Sequence, residues 1–231
     1  HVALAQSADI VVVAPASANT IAKIAAGMAD NMLCSTILAT KAPVVIAPAM
    51  NVNMWENPIT QENIDRLRRR GFVIVGPGHG WLAEGSIGQG RMVEPQVVID
   101  TIKQVLGRKG DMTGKRVVVS AGGTQEPIDP VRHIANKSSG KMGYALAEAA
   151  RDRGADVTLV AAPTALPDPT GINVVHVCTA EEMFQAVARA VTGCDVLLMA
   201  AAVADYRPAQ VSPEKIKKGE AKLTLDMTRT R

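Results

Sequence analysis

An α/β architecture with mostly parallel sheets is what this sequence predicts, and three observations predict it. Short aliphatic runs alternate with helix-like segments along all 231 residues. Hydrophobic residues make up 47% and aromatics only 3%, so the interior is built from Ala, Val, Ile and Leu, as in sheets buried on both faces. A polar, glycine-rich stretch at 107–114 interrupts the cycle and reads as a linker between two units.

The elements follow in order. Residues 9–14 (DIVVVA) form a buried strand stopped by Pro15. A helix over 17–29 has Ser17 as its cap and Ile21, Ile24, Ala25 and Met28 on one face, at the i, i+3, i+4, i+7 spacing. Residues 43–47 (PVVIA) are a second strand, and Asn57-Pro58 opens a helix that runs to Arg70 and ends at Gly71. Residues 72–75 (FVIV) are a third strand, and a helix over 97–106 closes the first half. In the second half, 116–120 (RVVVS) is a strand. Ser138 or Ser139 caps a helix to Arg153, where Gly154 supplies the C-terminal stop. Strands at 156–160, 174–177 and 195–199 enclose a helix over 180–191, and Leu223 and Leu225 alternate in strand fashion near the end. The expected fold is two Rossmann-like three-layer domains, 1–109 and 115–231, both incomplete. The chain opens on His1, with neither initiator Met nor leader, so it is expected to start inside a longer gene product.

Composition excludes several function classes. A net charge of +3, from 25 basic and 22 acidic residues, is too balanced for a nucleic-acid or bulk membrane surface. Cys34, Cys178 and Cys194 are odd in number and widely spaced, which supports neither a disulfide framework nor a zinc site and suits a reducing cytoplasm. The longest apolar run, 196–204, is far shorter than the roughly 20 residues of a membrane span. Generic nucleotide signatures are absent too. The glycines at 76–80 and 85–90 lack G-x-G-x-x-G spacing, Ser139-Gly140-Lys141 lacks the remainder of a P-loop, and no G-x-S-x-G elbow occurs.

Two Pro-interrupted loops follow strands in the first half, PASANT over 15–20 and PAMNVNMW over 48–55. Loops at strand ends carry the chemistry of doubly wound sheets, and a helix start offers free N–H groups beside short polar side chains. The alternative is that both are ordinary helix caps. Together the two motifs resemble the signatures of the flavin-containing cysteine decarboxylases across 1–106. That resemblance implies oxidative decarboxylation of a C-terminal cysteine on FMN. It makes His1, in His1-Val2-Ala3-Leu4, the catalytic base, a role suited to imidazole near neutrality. Asn51 would bind the substrate carboxylate, Met54 would contact the substrate, and Ser17, Asn19 and Thr20 would contact FMN. The segment 80–92 (GWLAEGSIGQGRM) resembles the mobile flap of the same family. Glu84 stands where many members have a cysteine. It is either a replacement proton donor, if burial raises its pKa, or an exposed loop residue. His79, Cys34 and Trp81 are expected to be structural.

The second half carries a long loop, GGTQEPIDPVRHIANKSSGKMG over 122–143. Backbone donors, Arg132, Lys141 and a helix start equip it for phosphate or carboxylate. It resembles the corresponding loop of phosphopantothenate-cysteine ligases, and AAAVADY over 200–206 and PEKIKK over 213–218 agree. The resemblance implies that CTP activates a carboxylate as an acyl-cytidylate, which the cysteine amine attacks. Asn136 would stabilise that intermediate, Arg132 would hold the substrate's phosphate or carboxylate, and Lys217 would contact substrate. Ala200, Ala201, Asp205 and Lys215 would line the CTP site, with Asp205 also serving Mg2+. Lys215, Lys217 and Lys218 are alternatively a solvated charge run.

The order of halves matches the bifunctional coenzyme A biosynthesis enzymes. The substrates implied are 4'-phosphopantothenate, cysteine and CTP, in a cytoplasmic homo-oligomer with flavin sites shared between subunits. The competing reading keeps the ligase active and makes the flavin half non-catalytic or regulatory.

Overall fold

The computed structural model describes residues 1–82, 85, 87–219 and 223–230. The chain divides into two compact units, His1–Leu106 and Gly107–Arg231.

In the first unit β1 (Val11–Ala16), β2 (Val44–Pro48) and β3 (Val73–Ile74) form a parallel sheet in that order. Around it lie α1 (Val2–Ser7), α2 (Ala18–Ala26), α3 (Met32–Ala39), α4 (Val52–Glu56), α5 (Pro58–Arg69) and α6 (Pro95–Gly107). Strand periodicity sorts β2 into two faces. Val44 and Ile46 pack with Ile21, Ile24, Ile64 and Leu67, whereas Val45 and Ala47 pack with Val98 and Val105. A separate antiparallel hairpin joins β4 (Gly78–Trp81) to β5 (Ile87–Arg91).

The second unit holds β6 (Arg116–Ala121), the hairpin β7 (Gln125–Pro127) and β8 (His133–Ala135), then α7 (Lys141–Asp152) and β9 (Asp156–Ala161). Further along come β10 (Asn173–His176), α8 (Ala180–Ala190), β11 (Val196–Met199), β12 (Tyr206–Pro208) and β13 (Met227–Arg229). The main sheet is parallel in the order β10-β9-β6-β11. Val117, Val119 and Ala121 face Ala147 and Ala150 of α7, while Val118 and Val160 face Met183, Ala186 and Val187 of α8. Each unit is therefore a helix–sheet–helix sandwich, the α/β class that the aliphatic runs predict.

Several boundaries depart from expectation. Pro15 does not stop β1: the strand runs on to Ala16, with a register shift between Val13 and Ala16 that accommodates the proline. The helix expected over 17–29 ends at Ala26, because Gly27 takes the left-handed conformation (φ 73°) and its N–H returns to the Ile24 carbonyl. Met28 consequently leaves the buried face and is exposed. Neither Ser138 nor Ser139 caps α7. Gly140 precedes it without a side-chain cap, and Ser138 Oγ accepts from the Gly140 N–H instead. In its first turn Gly143 lets α7 approach β6 closely, since a Cβ there would stand 2.9 Å from the Ser120 carbonyl oxygen. The final strand lies at Met227–Arg229 rather than around Leu223 and Leu225. The short helices α1, α3 and α4 and all the antiparallel hairpins are additions that no sustained periodicity announces.

The stretch expected as a linker is not a free spacer. The Met112 N–H donates to the Arg153 carbonyl, and Arg153 Nε donates to Asp111 Oδ1 at 2.9 Å, so the turn is docked on the end of α7.

Candidate functional site

Parallel strands deliver their C-terminal loops to one edge of a sheet, and in the first unit two such loops are neighbours. Ala16 pairs with Pro48, and the Ala49 N–H donates to the Ala16 carbonyl at 2.9 Å. Ser17 caps α2 by accepting from the Thr20 N–H at 3.3 Å, and the two hydroxyls lie 3.1 Å apart. Ser17 and Asn19 are exposed and Thr20 is half-buried. On the adjacent loop Asn51 caps α4, its Oδ1 accepting from the Asn53 N–H at 2.8 Å.

The β4–β5 hairpin lies against this second loop. The Met50 N–H donates to the Gly90 carbonyl at 2.9 Å. A Cβ at Gly90 would run into the Met50 carbonyl, and one at Gly88 into the Val52 side chain, so both glycines permit the close approach. Loop and hairpin line an open cavity of about 320 Å³, formed by Ala49, Met50, Asn51, Trp81, Leu82, Gly90 and Arg91. That volume falls at the small end of ligand pockets. Trp81 is 68% exposed on this cavity, which corrects the structural role expected for it, because a ring so exposed packs no core. Cys34 is buried, with its N–H held by Asn31, and His79 lies exposed on β4.

His1 and Met54 lie outside the residues lining this cavity. His1 is exposed at the start of α1, where its carbonyl accepts from the Ala5 N–H, and Met54 is exposed on α4. Glu84 falls outside the described residues.

In the second unit the strand ends are tied together by buried hydroxyls. Ser120, fully buried in β6, accepts through Oγ from the N–H groups of Ala200 (3.1 Å) and Ala201 (3.2 Å). Thr124, also fully buried, accepts from the Ala204 N–H at 2.9 Å. Asn136 donates from Nδ2 to the Val203 carbonyl at 3.0 Å. Asn136 and the 200–205 segment thus share one edge, as expected, and Asp205 is exposed beside them.

Arg132 lies at the other end of the β7–β8 hairpin, about 13 Å of extended chain from Asn136. Its guanidinium donates to the Ile216 carbonyl at 2.8 Å and stands 3.6 Å from Asp129. Lys215 and Lys217 flank Ile216 and are exposed. The structure therefore forms two groups, Asn136 with Ala200 and Ala201, and Arg132 with the 213–218 segment. Among the described residues no three His, Cys, Asp or Glu side chains gather as a metal site, so Asp205 offers a metal one carboxylate.

Sequence reasoning passed over Ser120, Thr124 and Asp129. The available signal was a hydroxyl closing the Val117–Val119 run and an Asp-Pro step inside a long loop.

Two α/β units with polar loops gathered at the C-terminal edges of parallel sheets define the class of cofactor- and nucleotide-binding proteins. The comparisons refine the class. Residues 1–107 match the Flavoprotein family model, and residues 112–231 match that of the DNA/pantothenate metabolism flavoprotein C-terminal domain. The chain belongs to the DNA/pantothenate metabolism flavoprotein family.

It is 50% identical over 99% of its length to the coenzyme A biosynthesis bifunctional protein CoaBC of Mycobacterium bovis (strain ATCC BAA-935 / AF2122/97), and spans 56% of that relative. To the protein of that name from Vibrio cholerae serotype O1 it is 48% identical, over 99% of this chain and 58% of that one. The chain thus spans little more than half the length of these relatives. A crystal structure of the C-terminal domain of CoaBC is 44% identical over 52% of this chain and 56% of its own, with a TM-score of 0.46. A PPC decarboxylase mutant complexed with pantothenoylaminoethenethiol is 42% identical over 42% of this chain and 54% of its own, with a TM-score of 0.41. Among the described residues no helix is long and apolar enough to cross a membrane.

Proposed function

We propose that the chain carries parts of two consecutive activities of coenzyme A biosynthesis: CTP-dependent ligation of cysteine to 4'-phosphopantothenate, and FMN-dependent decarboxylation of the product. The observation that carries the reading is the placement of Asn51 on an open cavity lined by the glycine hairpin, beside the hydroxyls and amide of the β1–α2 loop.

FMN fits that donor set, because short neutral hydroxyl and amide groups at a helix start suit both a flat polar ring and its anionic tail. Ser17, Asn19 and Thr20 would hold it, and when bound it supplies a two-electron acceptor and donor. The chain's own residues do the rest. Asn51 orients the substrate carboxylate through Nδ2, a neutral donor that leaves carbon dioxide free to depart. His1 takes the proton from the substrate, and Met54 bounds the substrate chain.

In the second unit Asn136 steadies the acyl-cytidylate at the edge formed by Ala200 and Ala201. Arg132, Lys215 and Lys217 supply positive charge toward phosphate and carboxylate. Asp205 contributes a single carboxylate, which suits Mg2+ arriving with the CTP phosphates more than a resident ion. Homo-oligomers with flavin sites shared between subunits belong to the same proposal.

The test supplies the protein with FMN, CTP, Mg2+, cysteine and 4'-phosphopantothenate. The expected result is pyrophosphate release with formation of the acyl-cysteine adduct, followed by carbon dioxide, and failure to form even the adduct removes the ligase reading. A second reading, ligase without decarboxylase, rests on Glu84 standing where many members of the resembling family carry cysteine. Carbon dioxide release that is lost in H1A, with flavin absorbance retained, decides against it.

A further inference from the structure

We propose that Asp129 and Arg132 form a two-point clamp on Ile216 that sets Lys215 and Lys217 in register for the triphosphate of a nucleotide, making Asp129 a positioning residue. The proposal rests on the CTP-binding reading of the second unit.

The geometry is specific to one residue. Asp129 Oδ2 accepts from the Ile216 N–H at 3.2 Å, and Arg132 donates from Nη2 to the Ile216 carbonyl at 2.8 Å. Both backbone groups of Ile216 are therefore engaged, by two side chains that also face each other at 3.6 Å. The other carboxylate oxygen, Oδ1, accepts from the N–H groups of Val131 and Arg132, each at 2.8 Å, which fixes the turn from which Arg132 reaches out. A further bond from the Ser212 N–H to the Ile128 carbonyl fastens the approach to the segment.

Burial makes this more than a turn. Asp129 is 3% exposed. Burial alone pushes its carboxyl up, yet the N–H bonds from Val131, Ile216 and Arg132 and the guanidinium hold it below the usual carboxylate range, so it is ionised. A buried carboxylate is tolerated only while its partners are present, and one of those partners lies 87 residues away in the chain. The 213–218 segment cannot lift away without uncovering that charge.

A solvated lysine run would need no such anchor. Here half-buried Ile216 is pinned, while Lys215 and Lys217 on either side of it are exposed. Two ammonium groups on an anchored backbone lose little further backbone freedom when they close on an anion, and preorganisation of that kind converts directly into affinity.

Trypsin digestion of the folded chain, followed by mass spectrometry, tests the clamp, with Lys23 and Lys103 as internal reference sites. Cleavage after Lys215 and Lys217 is expected to be slow in the parent and about tenfold faster in D129N, the scale of one lost charge-assisted hydrogen bond. Should D129N fail to fold, R132K keeps the charge but loses the second donor and is expected to behave alike. Equilibrium dialysis with labelled CTP and Mg2+ tests the positioning. D129N is expected to bind about tenfold more weakly, and D129N/K215Q/K217Q no more weakly than K215Q/K217Q, a non-additivity that a merely structural aspartate would not produce. Parent-like cleavage of D129N, or an additive loss when D129N is combined with K215Q/K217Q, overturns the proposal. Tight CTP binding by the parent with no change in D129N overturns the positioning alone and leaves the nucleotide reading standing. No CTP binding by the parent removes both.

Discussion

The two units hold their functional loops by opposite means. In the first unit the side-chain bonds that shape the loops are local: Ser17 to Thr20, Asn51 to Asn53, Asn57 to Ile59. In the second, local bonds such as Asp129 to Val131 are joined by long-range ones: Ser120 to Ala200, Thr124 to Ala204, Asp129 to Ile216, each spanning 80 residues or more. The first arrangement uses helix caps, which are worth about 1 kcal/mol each and leave their side chains near solvent. The second uses buried polar groups whose loss leaves unsatisfied partners in the interior. The first unit can lose a cap and keep its loop path. The second joins loop position to core integrity.

The sharpest way to break this contrast is Thr124→Val. It preserves shape but leaves the Ala204 N–H without its acceptor, and the second unit is expected to lose about 1–3 kcal/mol. Both tryptophans, Trp55 and Trp81, belong to the first unit, so circular dichroism should register the loss in urea while tryptophan fluorescence does not. Equal shifts in both signals would end the distinction.

Acid is the next test. In the second unit Asp111 is held below the usual carboxylate range chiefly by Arg153, and Asp195 chiefly by the Arg116 N–H and then Lys115. Asp129 is held there as well, its backbone bonds prevailing over burial. In the first unit Asp30, bonded to Lys23, is lowered in the same way. A carboxyl lowered by folding stabilises the native state above its unfolded value, and that contribution disappears as pH falls through the folded value. Below about pH 4 the urea midpoint from circular dichroism should therefore fall sooner than that from tryptophan fluorescence, and D129N should remove part of the difference.

Two smaller effects complete the series. Ser17→Ala should cost the first unit about 1 kcal/mol, read as a shift in the fluorescence midpoint, and should weaken flavin retention if Ser17 contacts FMN. Arg68→Ala breaks only the exposed Arg68–Asp65 pair and should stay within about 0.5 kcal/mol of the parent in the same measurement.

The contrast also explains what could be read in advance. A cap is written within three residues of the helix it starts, so Ser17 and Asn57 are legible from sequence, and so are the aliphatic strands of both sheets. Asn51 was legible as an amide on a strand-end loop, and the helix-cap alternative for that loop holds for it, but the five-residue helix it starts is too short to show periodicity. The cavity around it depends on Gly88 and Gly90 meeting Val52 and Met50 across a hairpin, a contact that no local pattern records. Ser120, Thr124 and Asp129 were illegible for a related reason. Each has its partner roughly a third of the chain away, and nothing beside a buried serine names the loop that will bond to it. Arg132 shows the cost of motif reading alone, since its guanidinium serves the backbone of Ile216 as well as any anion.

The docked turn at the start of the second unit bears on where this chain can be divided. Gly107 and Gly110 sit where a Cβ would overlap the Asp152 and Arg153 carbonyls, and Asp111 completes the contact through Arg153. An expression boundary drawn at Lys115, where the sheet begins, would strip α7 of that closure and expose the last carbonyls of the helix. The separable fragment starts at or before Gly107, so a stretch with the composition of a spacer is inherited by the second unit as its own first layer of structure.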